Sequence, residues 1–254
     1  MLILLPPSEG KAAPRRRGRP VDLDALPFPE LTPTRLAVRA ALREVSGRPD
    51  ALQLLGVGAG LLPEVRQNLA LPTSAGLAAA SVYTGVLYDA LDYGSLSAGA
   101  KRRANRSLRV QSALWGPVGP GDRVAPYRLS MATSLPGLGP LAAVWRPVLA
   151  GPMASLAGDG VVVDCRSAAY AAAWLPAGDA ARRLVGVRVL TQGPGGLTVV
   201  SHLAKHTRGL VARLLLEWPE RLATPRQVAA AVGGTYRCEL VDLGRRGFRL
   251  DVIG

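Results

Sequence analysis

Short apolar runs interleaved with helical patterns, in no strict alternation, constrain this chain more than any other feature. Leu2–Leu5 reads as a short buried strand stopped by Pro6-Pro7, and Val161–Asp164 reads as another. Ser107–Leu114 alternates like a strand. Leu184–Thr191 and Leu197–Ser201 flank Gly193-Pro194-Gly195-Gly196, and Tyr236–Asp242 and Gly247–Ile253 close the chain, so each pair reads as a hairpin. Arg35–Val45 carries apolar residues at helical spacing between Thr32-Pro33 and Gly47, and Ala204–Trp218 is an amphipathic helix. Leu52–Leu55 and a helical piece Leu61–Leu69 flank a glycine-rich turn. Residues 12–33, rich in Pro and Arg, form a long loop. Without a βαβ rhythm, these elements predict a mixed sheet rather than a doubly wound one. The expected fold is α/β of the mixed α+β kind. It is a single compact domain over residues 1–254, with a curved mixed sheet and surrounding helices.

A chain of 254 residues can bury a full-sized core, and 48% apolar residues with 19% charged is the composition of a folded protein. Met1–Leu5 lacks a basic lead and is too short for a signal peptide. No later stretch approaches 18 uninterrupted apolar residues, so no membrane partner is expected. Cys165 and Cys238 have no metal-type spacing, which suits a reducing compartment and predicts a cytoplasmic protein. The charge is more informative. The chain carries 31 Lys+Arg against 18 Asp+Glu, a formal +13 that attracts polyanions and makes DNA the expected partner. A GC-rich genome accounts for 28 of the 31 being Arg, but not for the excess over acids. The three lysines, Lys11, Lys101 and Lys205, are therefore candidates for roles a guanidinium cannot fill, such as losing a proton when buried. Lys101 lies in a basic helical turn; Lys11 and Lys205 sit beside motif-like segments.

Gly56, Val57, Gly58 and Gly60 form an apolar-Gly-apolar-Gly turn between two short helices, the helix-hairpin-helix pattern, within residues 50–70. Such a turn can approach a phosphate closely and offer it free N–H groups, without reading bases. The same glycines also suit a tightly packed helix–helix corner. Arg15, Arg16, Arg17 and Arg19 surround an Arg-Gly-Arg-Pro core, which is either an AT-hook for a narrow minor groove or a basic surface loop. His202 and His206 lie four apart but lack a third ligand, so no metal and no cofactor is expected. Lys205 and Arg208, one turn apart at a predicted helix start, could together hold a phosphate or carboxylate. Pro7-Ser8-Glu9-Gly10-Lys11 follows a strand and so falls at the carboxyl edge of the sheet, where ligands bind. Tyr83-Thr84-Gly85 and Pro126-Tyr127-Arg128-Leu129 place aromatic and Arg side chains on loops, where binding residues concentrate. No Ser/His/Asp set is legible, and Cys165 has no evident base.

Taken in order, several pieces resemble the YaaA peroxide-stress family. They are Met1-Leu2-Ile3-Leu4 with a following Pro and Lys11, Tyr83-Thr84-Gly85, Leu114 to Gly116, and Pro126-Tyr127-Arg128-Leu129 with Met131. Trp145, Ser167 with Tyr170, and Ala204-Lys205 with Arg208-Gly209-Leu210 complete the match. The resemblance implies a positively charged cleft, a helix-hairpin-helix, non-sequence-specific binding of duplex, bubble or junction DNA, and protection from peroxide. It marks Lys11, Tyr83, Thr84, Tyr127, Arg128, Ser167, Tyr170, Lys205 and Arg208 as family positions, with Ser8 beside them. His202, His206 and Cys165 are not family positions, which argues against metal and thiol-peroxidase chemistry. The Pro7-Ser8-Glu9-Gly10-Lys11 start departs from the Ser-Pro-Ala-Lys of other members, and the Arg-rich insert at 14–20 is not general. Two functions follow from the sequence. The leading one is a DNA-backbone binder; the rival is an enzyme acting on a nucleotide, nucleobase or related small anion. Convergence of Lys11 and Lys205 in a compact pocket favours the rival, and their dispersal over an open groove favours DNA.

Overall fold

Leu2, Ile3, Leu4 and Leu5 are all buried, which sets strand β1 (Leu2–Leu5) inside a sheet covered on both faces. The computed structural model describes residues 1–15, 17–193, 196–198 and 200–253. After β1 come helices α1 (Thr32–Ser46), α2 (Ala51–Leu55) and α3 (Leu62–Gln67), strand β2 (Leu77–Ala78), and helices α4 (Ala79–Val82), α5 (Val86–Leu91) and α6 (Ala98–Ser107). Strands β3 (Leu108–Ser112), β4 (Gly116–Val118), β5 (Arg123–Val124), β6 (Ser134–Leu135) and β7 (Gly139–Pro140) lead to helix α7 (Leu141–Ala157). The last part holds β8 (Val162–Asp164), α8 (Ala168–Ala171), β9 (Leu184–Gly193), β10 (Gly196–Thr198), α9 (Ser201–Glu217), α10 (Pro225–Gly233), β11 (Arg237–Asp242) and β12 (Phe248–Ile253).

The main sheet runs β11-β12-β9-β8-β1-β3-β4, with β10 folded back on β9. Neighbours from β12 to β3 are parallel, and β11 and β4 join antiparallel at the two edges. The sheet is therefore mixed. Because β1 and β8 are parallel, the segments that leave them, Pro6 onward and Cys165 onward, emerge at one edge. That edge carries the candidate site.

Helix α9 covers the sheet on one side and packs tightly on α5. Gly209 permits this approach: a Cβ there would overlap the Leu87 carbonyl and stand 2.9 Å from the Ala90 side chain. The close crossing brings the Lys205–Arg208 turn of α9 to the sheet edge. On the other side Trp145 of α7 is fully buried and donates to the Ala113 carbonyl at 2.8 Å.

Two local expectations need correction. Ser201 opens α9 instead of ending a strand, since β10 closes at Thr198. Lys205 and Arg208 consequently stand one to two turns inside the helix, away from its N-terminus. Helix α7, to which the sequence pattern assigns no element, runs through Pro147 and Pro152. Its buried stripe Leu141, Trp145, Leu149, Met153 and Ala157 repeats every four residues, and that packing outweighs the proline cost. The Pro194 and Gly195 turn of the expected first hairpin lies outside the described residues, as does Arg16. No helix among the described residues is long and apolar enough to cross a membrane.

Gly209→Ala should destabilise the protein by roughly 1–3 kcal/mol through overpacking against α5. Gly60→Ala, where a Cβ meets open space, should stay within about 0.5 kcal/mol. Urea unfolding of both variants checks the pair; equal stabilities would contradict the close crossing.

Candidate functional site

The segment after β1 is fastened to the start of α5 at several points. Ala12 donates to the Val82 carbonyl at 2.9 Å, Lys11 and Tyr83 form an isolated antiparallel bridge, and the Thr84 N–H donates to Ser8 Oγ at 3.1 Å. The Tyr88 hydroxyl donates to the Pro6 carbonyl at 2.7 Å. Pro6-Pro7 ends the strand and turns the chain into this seam.

Lys11 is thereby held at the floor of a cavity of about 550 Å³. Its amine donates to the Ser8 carbonyl at 2.8 Å and the Glu9 carbonyl at 3.4 Å. It sits 4.3 Å from the Tyr127 ring centre and 5.9 Å from that of Tyr83. Behind it the Tyr127 hydroxyl shares a 2.7 Å hydrogen bond with Ser112, and the buried Tyr83 hydroxyl makes no hydrogen bond of good geometry among the described residues. Burial, aided by the nearby Arg128 charge, lowers the Lys11 pKa to about 7 despite Glu64 and Glu9. Burial also raises the Tyr83, Tyr88 and Tyr127 hydroxyls, which stay protonated.

The other cations come from separate elements. Arg128 donates to the Glu9 carbonyl at 3.1 Å and lies 3.5 Å from Glu64. Lys205 is 4.0 Å from the Glu9 carboxylate, which is itself 78% exposed. Arg208 donates to the Val187 carbonyl at 3.3 Å, and its Nε is buried without a partner among the described residues. Ser8, Thr84, Ser167 and Tyr170 line the same cavity with hydroxyl groups, and Gly56 and Val57 form part of its wall. Ser8, Lys11, Thr84, Arg128, Ser167, Tyr170, Lys205 and Arg208 are thus brought together, and Tyr83 and Tyr127 lie beneath Lys11.

Other candidates fall elsewhere. Gly58, Gly60, Arg15, Arg17 and Arg19 do not line the cavity, and the three arginines are exposed. The Arg-Gly-Arg-Pro segment is not a free arm. Pro20 bridges to Ala75, and Gly76 donates to the Arg19 carbonyl at 3.0 Å. His202 and His206 are exposed and off the cavity. Cys165 is buried, and desolvation pushes its thiol up to about 12, which leaves no thiolate at neutral pH. Among the described residues, no group of three His, Cys, Asp or Glu is placed to hold a metal.

Over residues 1–239 the chain matches the family described as peroxide stress protein YaaA. It is 47% identical to a UPF0246 protein of Streptomyces coelicolor, covering 100% of this chain and 98% of the relative. A UPF0246 protein of Corynebacterium efficiens is 37% identical, with 97% of each chain covered. The chain belongs to the YaaA peroxide stress protein family.

Of the positions that the resemblance marks, Lys11, Thr84, Arg128, Ser167, Tyr170, Lys205 and Arg208 therefore line one cavity. Sequence reasoning missed the residues that hold them there. Asn68 clamps the Arg128 backbone, accepting from its N–H at 2.9 Å and donating to its carbonyl at 3.0 Å. Arg166 pairs with Asp164 at 2.8 Å and donates to the Trp174 carbonyl at 2.7 Å, shaping the loop that carries Ser167 and Tyr170. The Asp164-Cys165-Arg166 spacing after a strand was the available signal. Glu9, common neighbour of three cations, had no signal beyond its place in the loop.

The unfolded chain keeps its Lys11 proton to about pH 10.5, whereas the folded residue releases it near 7. Between these values the unfolded state binds more protons, so this residue makes stability rise with pH. Lys11→Met removes the effect. Relative to the parent, the variant should be most favoured at or below pH 7 and lose that advantage toward pH 10 in denaturant unfolding. A constant difference across the window would contradict the lowered pKa.

Proposed function

We propose that this YaaA-family protein serves the peroxide stress response by binding, and acting on, a small phosphate-bearing molecule of nucleotide size. One observation carries the reading: Lys11, Arg128 and Lys205 surround Glu9 and, with Arg208, line a single cavity. Four cations converge there against Glu9 and Glu64, so an anion completes the charge balance. A cavity of about 550 Å³ suits a nucleotide or a sugar phosphate. Hydroxyl groups of Ser8, Thr84, Ser167 and Tyr170 suit a polyhydroxylated ligand, and a Lys11 amine near its midpoint at neutral pH suits proton transfer.

A second reading, DNA-backbone binding, is favoured by a different feature. Gly56 and Val57 border the cavity, while Gly56, Gly58 and Gly60 have open space at the Cβ position, so the turn can meet a phosphate closely. Among the described residues, exposed Arg15, Arg17 and Arg19 form no ion pair. A strand laid on this turn would bring a phosphate to the cavity mouth.

Calorimetric titration with nucleoside monophosphates tests the first reading. Arg128→Ala and Arg208→Ala should each weaken binding about tenfold or more, the scale of a lost charge-assisted hydrogen bond. Lys205→Arg, which keeps the charge, should leave it nearly intact. Unchanged affinity in both alanine variants would contradict the reading. For duplex DNA, neutralising some five phosphates gives log K a slope of roughly −4 to −5 against log[salt], and a flat dependence would exclude the second reading.

A further inference from the structure

We propose that Lys11 is an amine nucleophile that forms an imine with an aldehyde carried on a phosphate-bearing sugar seated in the cavity. The inference rests on the cavity being the anion site argued above and adds the chemistry performed there.

Its ground is geometric. The Lys11 amine faces the cavity from the floor, oriented by the Ser8 and Glu9 carbonyls and laid over the Tyr127 ring. The groups that face it are Arg128, Glu64, Glu9, Tyr83 and Tyr127. A lysine becomes nucleophilic when it is desolvated or set beside another cation, and both conditions hold here. Arg128 supplies the neighbouring charge, and the rings supply the apolar wall. Around the rim Arg128, Lys205 and Arg208 are placed for the phosphate, and the hydroxyls of Ser8, Ser167 and Tyr170 for the sugar. In a chain with 28 arginines by difference, a lysine at this point keeps the one function that a guanidinium cannot supply. A purely electrostatic contact would be served by Arg.

The step balances within the two partners. The neutral amine adds its lone pair to the aldehyde carbon, and the carbonyl oxygen takes up the amine proton to give a carbinolamine. Loss of that oxygen as water leaves the imine. With the amine midpoint near 7, roughly half of Lys11 is neutral at pH 7, against about one in three thousand for an ordinary lysine. Tyr127 and Tyr83, protonated throughout, cannot supply an anion in its place. The aldehyde sugar phosphate has two sources: a free deoxyribose 5-phosphate, or an abasic site within a DNA strand whose backbone rests on the Gly56–Gly58 turn.

The test is reductive trapping on the full chain. The protein is incubated with 2-deoxyribose 5-phosphate, or with an abasic-site oligonucleotide, in cyanoborohydride, and the modified lysine is located by peptide mass mapping. Lys11 should carry about tenfold or more adduct than Lys101 or Lys205, with a rate that rises through pH 7 and levels by about pH 8. Inorganic phosphate should suppress it. Lys11→Arg should lose the adduct, and mapping of the unmutated protein keeps the result independent of how that variant folds. Trapping of the free sugar alone identifies a small-molecule substrate; trapping of the oligonucleotide as well identifies a strand-borne one. Adduct spread evenly over Lys11, Lys101 and Lys205 overturns the inference. So does no adduct at Lys11 while a reduced analogue, 2-deoxyribitol 5-phosphate, binds; that result leaves the anion site standing. Failure of the analogue to bind overturns both.

Discussion

Three cations held around one residue are the interaction from which the character of this protein follows: Lys11 and Arg128 donate to the Glu9 main-chain carbonyl, and Lys205 lies 4.0 Å from its exposed carboxylate. Glu9 carries a single, exposed charge, and Glu64, 3.5 Å from Arg128, also acts on Lys11, so two carboxylates face three cations. Each cation arrives from a different element: Lys11 from the segment after β1, Arg128 from the segment after β5, and Lys205 from α9. Burial beside the aromatic rings, with the Arg128 charge adding to it, lowers the Lys11 pKa to about 7. An anion in the cavity offsets the remaining positive charge.

The fold exists, in large measure, to bring those elements to one edge. Parallel pairing of β1 with β8 sends the Ser8–Lys11 and Ser167–Tyr170 segments out on the same side. Gly209 lets α9 sink onto α5 far enough for Lys205 and Arg208 to reach that side. Asn68 fixes the main chain at Arg128, and Arg166 does the same for the loop after β8. These supporting residues do not line the cavity, yet its geometry is set through them.

Much of the architecture is legible in the sequence because local pattern and tertiary role agree. Leu2–Leu5 and the Val162–Asp164 strand are continuous apolar runs, as strands buried on both faces must be. The closing hairpin of β11 and β12 pairs as expected. Where the two levels conflict, the sequence misleads. The α7 stripe is periodic, but its two prolines signal a break that packing overrides. Helix α10 has a full capping box at Thr224 and Gln227, and it is passed over because its apolar face is short. For the site, residue types marked by the family resemblance gather around one cavity. Glu9, Asn68 and Arg166 escape notice because their importance lies in what they touch across 8 to 119 positions of chain, which no local pattern records. The glycine turn keeps its double reading: Gly56 caps α2 with positive φ and also borders the cavity.

The most direct measurement of the central claim is the titration of the Lys11 ε-amine by NMR in isotopically labelled protein, with and without a bound phosphate ester. A crowded cation cluster awaiting an anion predicts a midpoint near 7 that moves upward when the phosphate enters, because the anion favours the charged amine. A midpoint near 10.5, unmoved by the phosphate, would contradict the account.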